Sequence, residues 1–231
     1  MSRTKKLEKR TKFMILRNFK IGYDFRFDPI KAYLESTQEM ILTQERELEE
    51  KFKKWNEEHS ENPEMPDAFD IYEMEILNSS EFPNILNKSI YLTIYSMFEN
   101  EFNKLCEWCQ HSEELNLSPK DLKGGNYIGQ CRNYIIKVLN VNLENLKEQW
   151  TKIGKYQQIR NVIAHNNGIV KQTNKEIPKF VDSTQGISIE QKTSEIQIES
   201  IDFLIDFIDH LVGFLNETIE EIVNQKEKAS T

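Results

Sequence analysis

The stretch of this chain whose residue types and spacing best suit chemistry is Arg160-Asn161-Val162-Ile163-Ala164-His165, followed by Asn166-Asn167-Gly168. On a helix turning 100° per residue, with Arg160 at 0°, Ala164 falls at about 40°, Asn161 at about 100° and His165 at about 140°. Ile159, Val162 and Ile163 fall between about 200° and 300° and form the buried side. Arg160, Asn161 and His165 therefore share an arc that points away from the core, toward solvent or a partner subunit. Ala164, within that arc, is small enough to allow close approach. His165 precedes an Asn-Asn-Gly helix stop, where the helix dipole favours a protonated imidazole, and histidine is the natural proton carrier near neutral pH. A guanidinium holds a phosphate through two parallel hydrogen bonds and stabilises its developing charge. Asn161, one turn before His165, can orient the imidazole or the substrate. The set suits metal-free cleavage of a phosphodiester. The spacing also fits a histidine that simply ends a helix, so the residues alone leave both readings open.

Two other constellations carry less. Cys106-Glu107-Trp108-Cys109 has a CxxC spacing, with His111 two residues on, but four zinc ligands would require Cys131 and there is no second CxxC. Both cysteines fall in a helical pattern with apolar neighbours, where cysteine behaves as a small hydrophobe. Asp202, Asp206, Asp209 and His210 lie along the last helix and read as its solvated face. Neither a cofactor nor a metal site is expected.

The elements that must position these residues read as helices. Asp28 to about His59 is expected to form one long helix, with Asp28 as cap and Pro29 at the first helical position. Its Leu34, Ile41, Leu48 and Trp55 recur every seven residues, a single stripe for packing on the body or on a second subunit. Ser60–Asp67, with two prolines, is the clearest linker, and a short helix is expected over Ala68–Leu77. Phe82–Gln110 follows helical spacing closely, Ser118-Pro119 and Gly124-Gly125 mark a loop, and Tyr127–Leu139 and Leu143–His165 read as two further helices. The second of these has a possible interruption near Gly154. Between Asn166 and Ser200 the alternation of Ile187, Ile189, Ile196 and Ile198 predicts a β-hairpin, and Ile201–Val223 is a strongly amphipathic helix. The expected fold is all-α: an antiparallel helical bundle with a long N-terminal helical arm and a small β-hairpin insertion before the last helix. The organisation reads as residues 1–60, a basic segment plus arm; 61–81, linker and short helix; and 82–231, the helical domain.

Composition agrees. Glycine and proline number only 8 and 6 in 231 residues, so helix breakers are scarce. The net charge of −8 excludes general avidity for nucleic acid, but it is uneven: residues 1–20 carry eight Lys and Arg against Glu8 alone. That start reads as a solvated terminus or as an arm that meets phosphates. No stretch approaches the about 18–20 uncharged residues of a membrane span, no secretory signal is visible, and three cysteines make no disulfide framework. A cytoplasmic protein without membrane contact is the expectation.

Arg-Asn-x-x-x-His near the end of a helix in an all-α domain resembles the signature of the HEPN superfamily. Lys88–Gln110, with its Tyr95-Ser96-Met97-Phe98-Glu99 stretch, is similar to the long first helix of such domains, and a variable segment and a long amphipathic helix follow as they do there. The likeness covers roughly Phe82–Val223 and leaves residues 1–60 outside. The resemblance implies a metal-independent endoribonuclease that dimerises so that two motif helices meet over one RNA backbone. Arg160 would bind and polarise the scissile phosphate, His165 would act as general acid or base while the ribose 2′-OH attacks, and Asn161 fills the polar position after the arginine. Family members commonly serve as toxins or abortive-infection effectors, which implies RNA, a second subunit and an antitoxin or defence-system protein as partners. One subgroup carries a tyrosine two residues after the histidine; here that position is Asn167, so control through that tyrosine is not expected. Ser96 and Glu99 either line the cleft or are ordinary helix-surface residues. Some members have lost activity, which gives the alternative: a non-catalytic HEPN-like module for dimerisation or for RNA or protein binding.

Overall fold

A computed structural model describes residues 3–59, 64–123 and 125–228, with side chains from residue 11 onward. Seven helices and one hairpin occur among them, in the order α1 (Arg3–His59), α2 (Ala68–Ile71), α3 (Glu73–Ser112), α4 (Tyr127–Lys137), α5 (Lys147–Asn166), α6 (Glu176–Asp182), β1 (Ile187–Ile189), β2 (Ile196–Ile198) and α7 (Ile201–Lys228). The chain is thus the expected all-α bundle with a small hairpin before its last helix. α1, α3, α5 and α7 build it: α1 and α5 each pack on both α3 and α7. No helix among the described residues is long and apolar enough to cross a membrane.

The largest departure from the sequence reading is in α1. It does not start at Asp28 but runs unbroken from Arg3, with Asp28 and Pro29 inside it. Proline forfeits one hydrogen bond of the ladder and crowds the carbonyl four residues back. What carries the helix through is a stripe at three- and four-residue spacing, Phe13, Leu16, Tyr23, Phe27 and Leu34, buried against the body. Lys20 and Arg17 from the basic start bind Glu220 and Glu227 of α7 at 2.6 and 3.7 Å, and the Lys12 ammonium donates to the Ser112 carbonyl. Those three basic residues hold the helix on its own protein rather than reaching outward; the side chains before residue 11 lie outside the described residues.

Beyond Leu34 the arm packs against the start of α3. Ile41, Leu48 and Trp55 are half-buried there, and Trp55 donates from Nε1 to the Pro66 carbonyl at 3.2 Å while its ring meets Tyr72 edge-on at 6.4 Å. Residues 60–63 of the expected linker lie outside the described residues. The expected short helix shrinks to α2, capped by the Asp67 carboxylate on the Phe69 N–H at 2.9 Å, and α3 starts at Glu73 with Pro83 inside it. α5 runs straight through Gly154, and α6 occupies a segment without a helical expectation, its first N–H groups capped by the Asn174 side chain at 3.0 Å.

The core is aromatic where α3, α5 and α7 meet. The Tyr91 ring stacks on Phe207 at 4.4 Å, Phe207 lies 4.5 Å from Tyr156, and the buried Tyr91 hydroxyl donates to the Tyr156 carbonyl at 2.8 Å. That bond fixes how far α5 slides along α3. The hairpin adds a second tie to α3, since Asn87 Nδ2 donates to the Ile198 carbonyl at 2.9 Å, with Ile187 paired to Ile198 and Ile189 to Ile196. The three cysteines are buried in this core as free thiols.

His210 departs from the solvated face expected of it. Asp202, Asp206 and Asp209 are exposed, but His210 is half-buried, edge-on to Tyr156 at 5.7 Å, with Nε2 3.0 Å from the Gln149 carbonyl. Burial lowers its pKa below the ordinary 6.5, because desolvation penalises the imidazolium.

Two outcomes follow from this packing. Tyr91→Phe is expected to lower stability by about 1 kcal/mol in urea denaturation, the value of a lost buried hydrogen bond with the ring retained. For His210 the unfolded ring protonates below about pH 6.5 while the folded ring resists. Its contribution is therefore fully present above that pH and is lost as pH falls through the lower folded pKa. His210→Gln is expected to flatten the fall in melting temperature between pH 7 and the acid limb.

Candidate functional site

The motif sits where the sequence reading places it, in the last two turns of α5. Tyr156, Ile159 and Val162 are buried, while Asn161, Ala164 and His165 are exposed and Arg160 is half-buried at the edge of the outward face. The three candidate residues come together. Arg160 Nη1 donates to Asn161 Oδ1 at 3.2 Å and approaches His165 Nε2 at 3.4 Å. His165 Nε2 and the guanidinium are thus directed to the same place.

The support under Arg160 comes from α3. Its guanidinium carbon lies 5.9 Å above the Tyr95 ring, a cation–π contact. Tyr91 and Tyr95 lie one turn apart on α3 and Tyr156 and Arg160 one turn apart on α5, so both contacts fall where the two helices cross. Glu99, one turn further along α3, belongs to the same cluster. Burial raises its carboxyl pKa above the ordinary value, and the Arg160 charge opposes the shift. The Tyr95 phenol is likewise pushed well up, by burial first and then by the Glu99 charge, and its hydroxyl has no hydrogen-bond partner among the described residues. Of the two α3 candidates, Glu99 therefore joins the site, while Ser96 is an exposed surface residue. Tyr95 was legible as part of an aromatic stretch but not as the seat of the guanidinium, because that contact spans 65 residues of chain.

The end of the motif helix is closed as the Asn-Asn-Gly sequence requires. Asn167 and Gly168 adopt left-handed conformations, φ 51° and 80°, and the Gly168 N–H returns to the Val162 carbonyl at 3.1 Å. The chain then joins the hairpin: Ile196 N–H donates to the Gly168 carbonyl at 2.9 Å, and Val170 N–H to Ser194 at 2.9 Å. Lys88 of α3 pairs with Glu195 at the same point. The hairpin thus clamps the end of the motif helix to α3. Beside it a cleft of about 470 Å³ is lined by Gln158, Val162, Asn166, Lys171, Thr173 and Lys175. A larger cavity, about 990 Å³, lies elsewhere, between Leu48 and Phe52 of the arm and Phe69 and Ile76, and holds none of the motif residues.

Comparison with protein families, with characterised proteins and with solved structures returns no match to this chain.

Gly168 gives the test of this anchoring. A Cβ there would stand 3.3 Å from both Glu195 Cγ and Lys88 Nζ, at a φ of 80° that L-residues resist. Gly168→Ala is expected to cost about 1–3 kcal/mol, read as a lowered melting temperature with the helical circular-dichroism spectrum retained.

Proposed function

We propose that this chain is a metal-independent endoribonuclease of HEPN type, working as a homodimer whose motif helices face one RNA strand. The observation that carries the proposal is the convergence of Arg160, Asn161 and His165 on one exposed face at the end of a firmly anchored helix. His165 Nε2 takes the proton of a ribose 2′-OH, whose oxygen attacks the adjacent phosphorus. Arg160 holds the phosphate and offsets the extra negative charge of the five-coordinate state. The P–O5′ bond breaks, and the leaving oxygen takes a proton from the protonated His165 of the second subunit. The products are a 2′,3′-cyclic phosphate and a 5′-hydroxyl. Asn161 steadies the guanidinium, and Ala164 leaves room for the facing helix. The resemblance to HEPN proteins extends the proposal to a toxin or abortive-infection effector, restrained by an antitoxin or defence-system partner.

A second reading has one observation in its favour: Arg160 already has partners within its own helix, Asn161 and His165. In a non-catalytic module those contacts would shape a surface for RNA or protein.

Incubation of the purified protein with RNA in EDTA separates the two. The ribonuclease reading expects cleavage in EDTA, reduced about 10²–10⁴-fold by His165→Ala and by Arg160→Ala. Cleavage that requires a divalent metal, or that survives His165→Ala unchanged, overturns it. Binding of RNA with no cleavage by any variant establishes the module instead.

A further inference from the structure

The motif lies within a basic stretch of an acidic chain. Residues 149–181 hold six of the 30 Lys and Arg, namely Lys152, Lys155, Arg160, Lys171, Lys175 and Lys179, and one of the 38 Asp and Glu, Glu176. That single carboxylate is already engaged: Lys155 Nζ meets one of its oxygens at 2.7 Å and Lys179 Nζ the other at 3.7 Å. Lys171 and Lys175 are exposed and form no ion pair among the described residues. Their charge is therefore available to an anion from outside.

Both lysines line the cleft of about 470 Å³ beside the motif helix. With Arg160 at 0° around α5, the cleft residues Gln158, Val162 and Asn166 fall at about 160°, 200° and 240°, directly after His165 at about 140°. Gln158 and Asn166 are eight residues apart, so the α5 wall runs for about 12 Å. A strand laid across α5 from Arg160 over His165 thus passes on into the cleft. The opposite wall is the turn at residues 171–175, and it is fixed at both ends. Val170 N–H donates to the Ser194 carbonyl and Asn174 N–H to the Lys171 carbonyl, each at 2.9 Å, while Asn174 Oδ1 accepts from Glu176 and Ile177 at 3.0 Å. The Lys155–Glu176 pair ties α5 to α6, so the two walls are held together.

We propose that this cleft holds the phosphates that flank the scissile one on the substrate RNA strand, with Lys171 and Lys175 as the cations that bind them. A lysine ammonium meets a phosphate as a point charge and reads no sequence. The half-buried side-chain amides of Gln158 and Asn166, on the facing wall, offer donors to phosphate oxygens and both donor and acceptor to a ribose 2′-OH. A positively charged groove that tracks the backbone is the general means of holding a single strand. The placement of the strand over His165 rests on the ribonuclease reading; the charge and shape of the cleft do not.

The test is fluorescence anisotropy of labelled oligouridylate over a range of salt concentrations, in EDTA, with Arg160→Ala/His165→Ala as the parent chain so that nothing is cleaved. Adding Lys171→Gln/Lys175→Gln is expected to weaken binding of oligouridylate and oligoadenylate alike. It is also expected to reduce the slope of log K against log salt by about 1.4, at about 0.7 per phosphate contact on a single strand. Lys51→Gln/Lys54→Gln, which removes the same charge from the arm, is expected to leave the slope unchanged. An unchanged slope in the Lys171/Lys175 variant, an equal fall in the arm variant, or no binding by the parent overturns the proposal. Displacement of the RNA by polyglutamate at equal charge assigns the cleft to acidic polypeptide and overturns it too. With Arg160 and His165 intact, Lys171→Gln/Lys175→Gln is expected to raise KM for a long RNA with kcat unchanged, and to leave cleavage of the dinucleotide UpA, too short to reach the cleft, as it was. Cleavage with an unchanged salt slope sinks the cleft alone; a reduced slope in a chain that never cleaves sinks the ribonuclease reading alone.

Discussion

The hydrogen bond from the Tyr91 hydroxyl to the Tyr156 carbonyl, made inside the stack with Phe207, is the constraint on which the site depends. A bond between two buried groups has no water to replace it, so sliding α5 against α3 would leave the phenol unpaired in an apolar core. Beside that bond, Arg160 sits over Tyr95 with Glu99 alongside. One turn further along α5, His165 meets the guanidinium. The hairpin secures the far end by holding Gly168 and Asn87 together through Ile196 and Ile198. The exposed chemistry is therefore held by buried geometry: a flexible cation and an imidazole share one face because the helices beneath them cannot move apart.

Charge is organised with similar economy. The net −8 of the chain is concentrated in the arm and the start of α3, where residues 39–87 contain 14 acidic and 4 basic residues. The rest of the chain is close to neutral, so a polyanion approaching the Arg160 face is not opposed by the whole −8. The basic start of α1 serves first to hold the helix, through Lys12, Arg17 and Lys20 on α3 and α7.

Much of the site was legible because it is periodic. The outward arc of Arg160, Asn161 and His165, the closing Asn-Asn-Gly, the alternating isoleucines of the hairpin and the stripe of α7 all follow from local repeat and local turn chemistry. What escaped depended on partners distant in sequence. Asp28-Pro29 has the local signature of a helix start, yet the packing of Phe13, Leu16, Tyr23 and Phe27 carries α1 through it. α6 is seven residues long with Pro178 inside, too short for a period to show. His210 lies on the polar side of its own helix by count, but α5 crosses there and half-buries it. The cation–π seat of Arg160 on Tyr95 joins residues 65 positions apart and has no local signal.

The central claim, that His165 and Arg160 drive attack by the ribose 2′-oxygen, is tested most directly by the mass of the RNA ends left after incubation with the protein. The account predicts fragments ending in a 2′,3′-cyclic phosphate and beginning with a 5′-hydroxyl. Fragments with a 3′-hydroxyl and a 5′-phosphate would show attack by water instead and would contradict it.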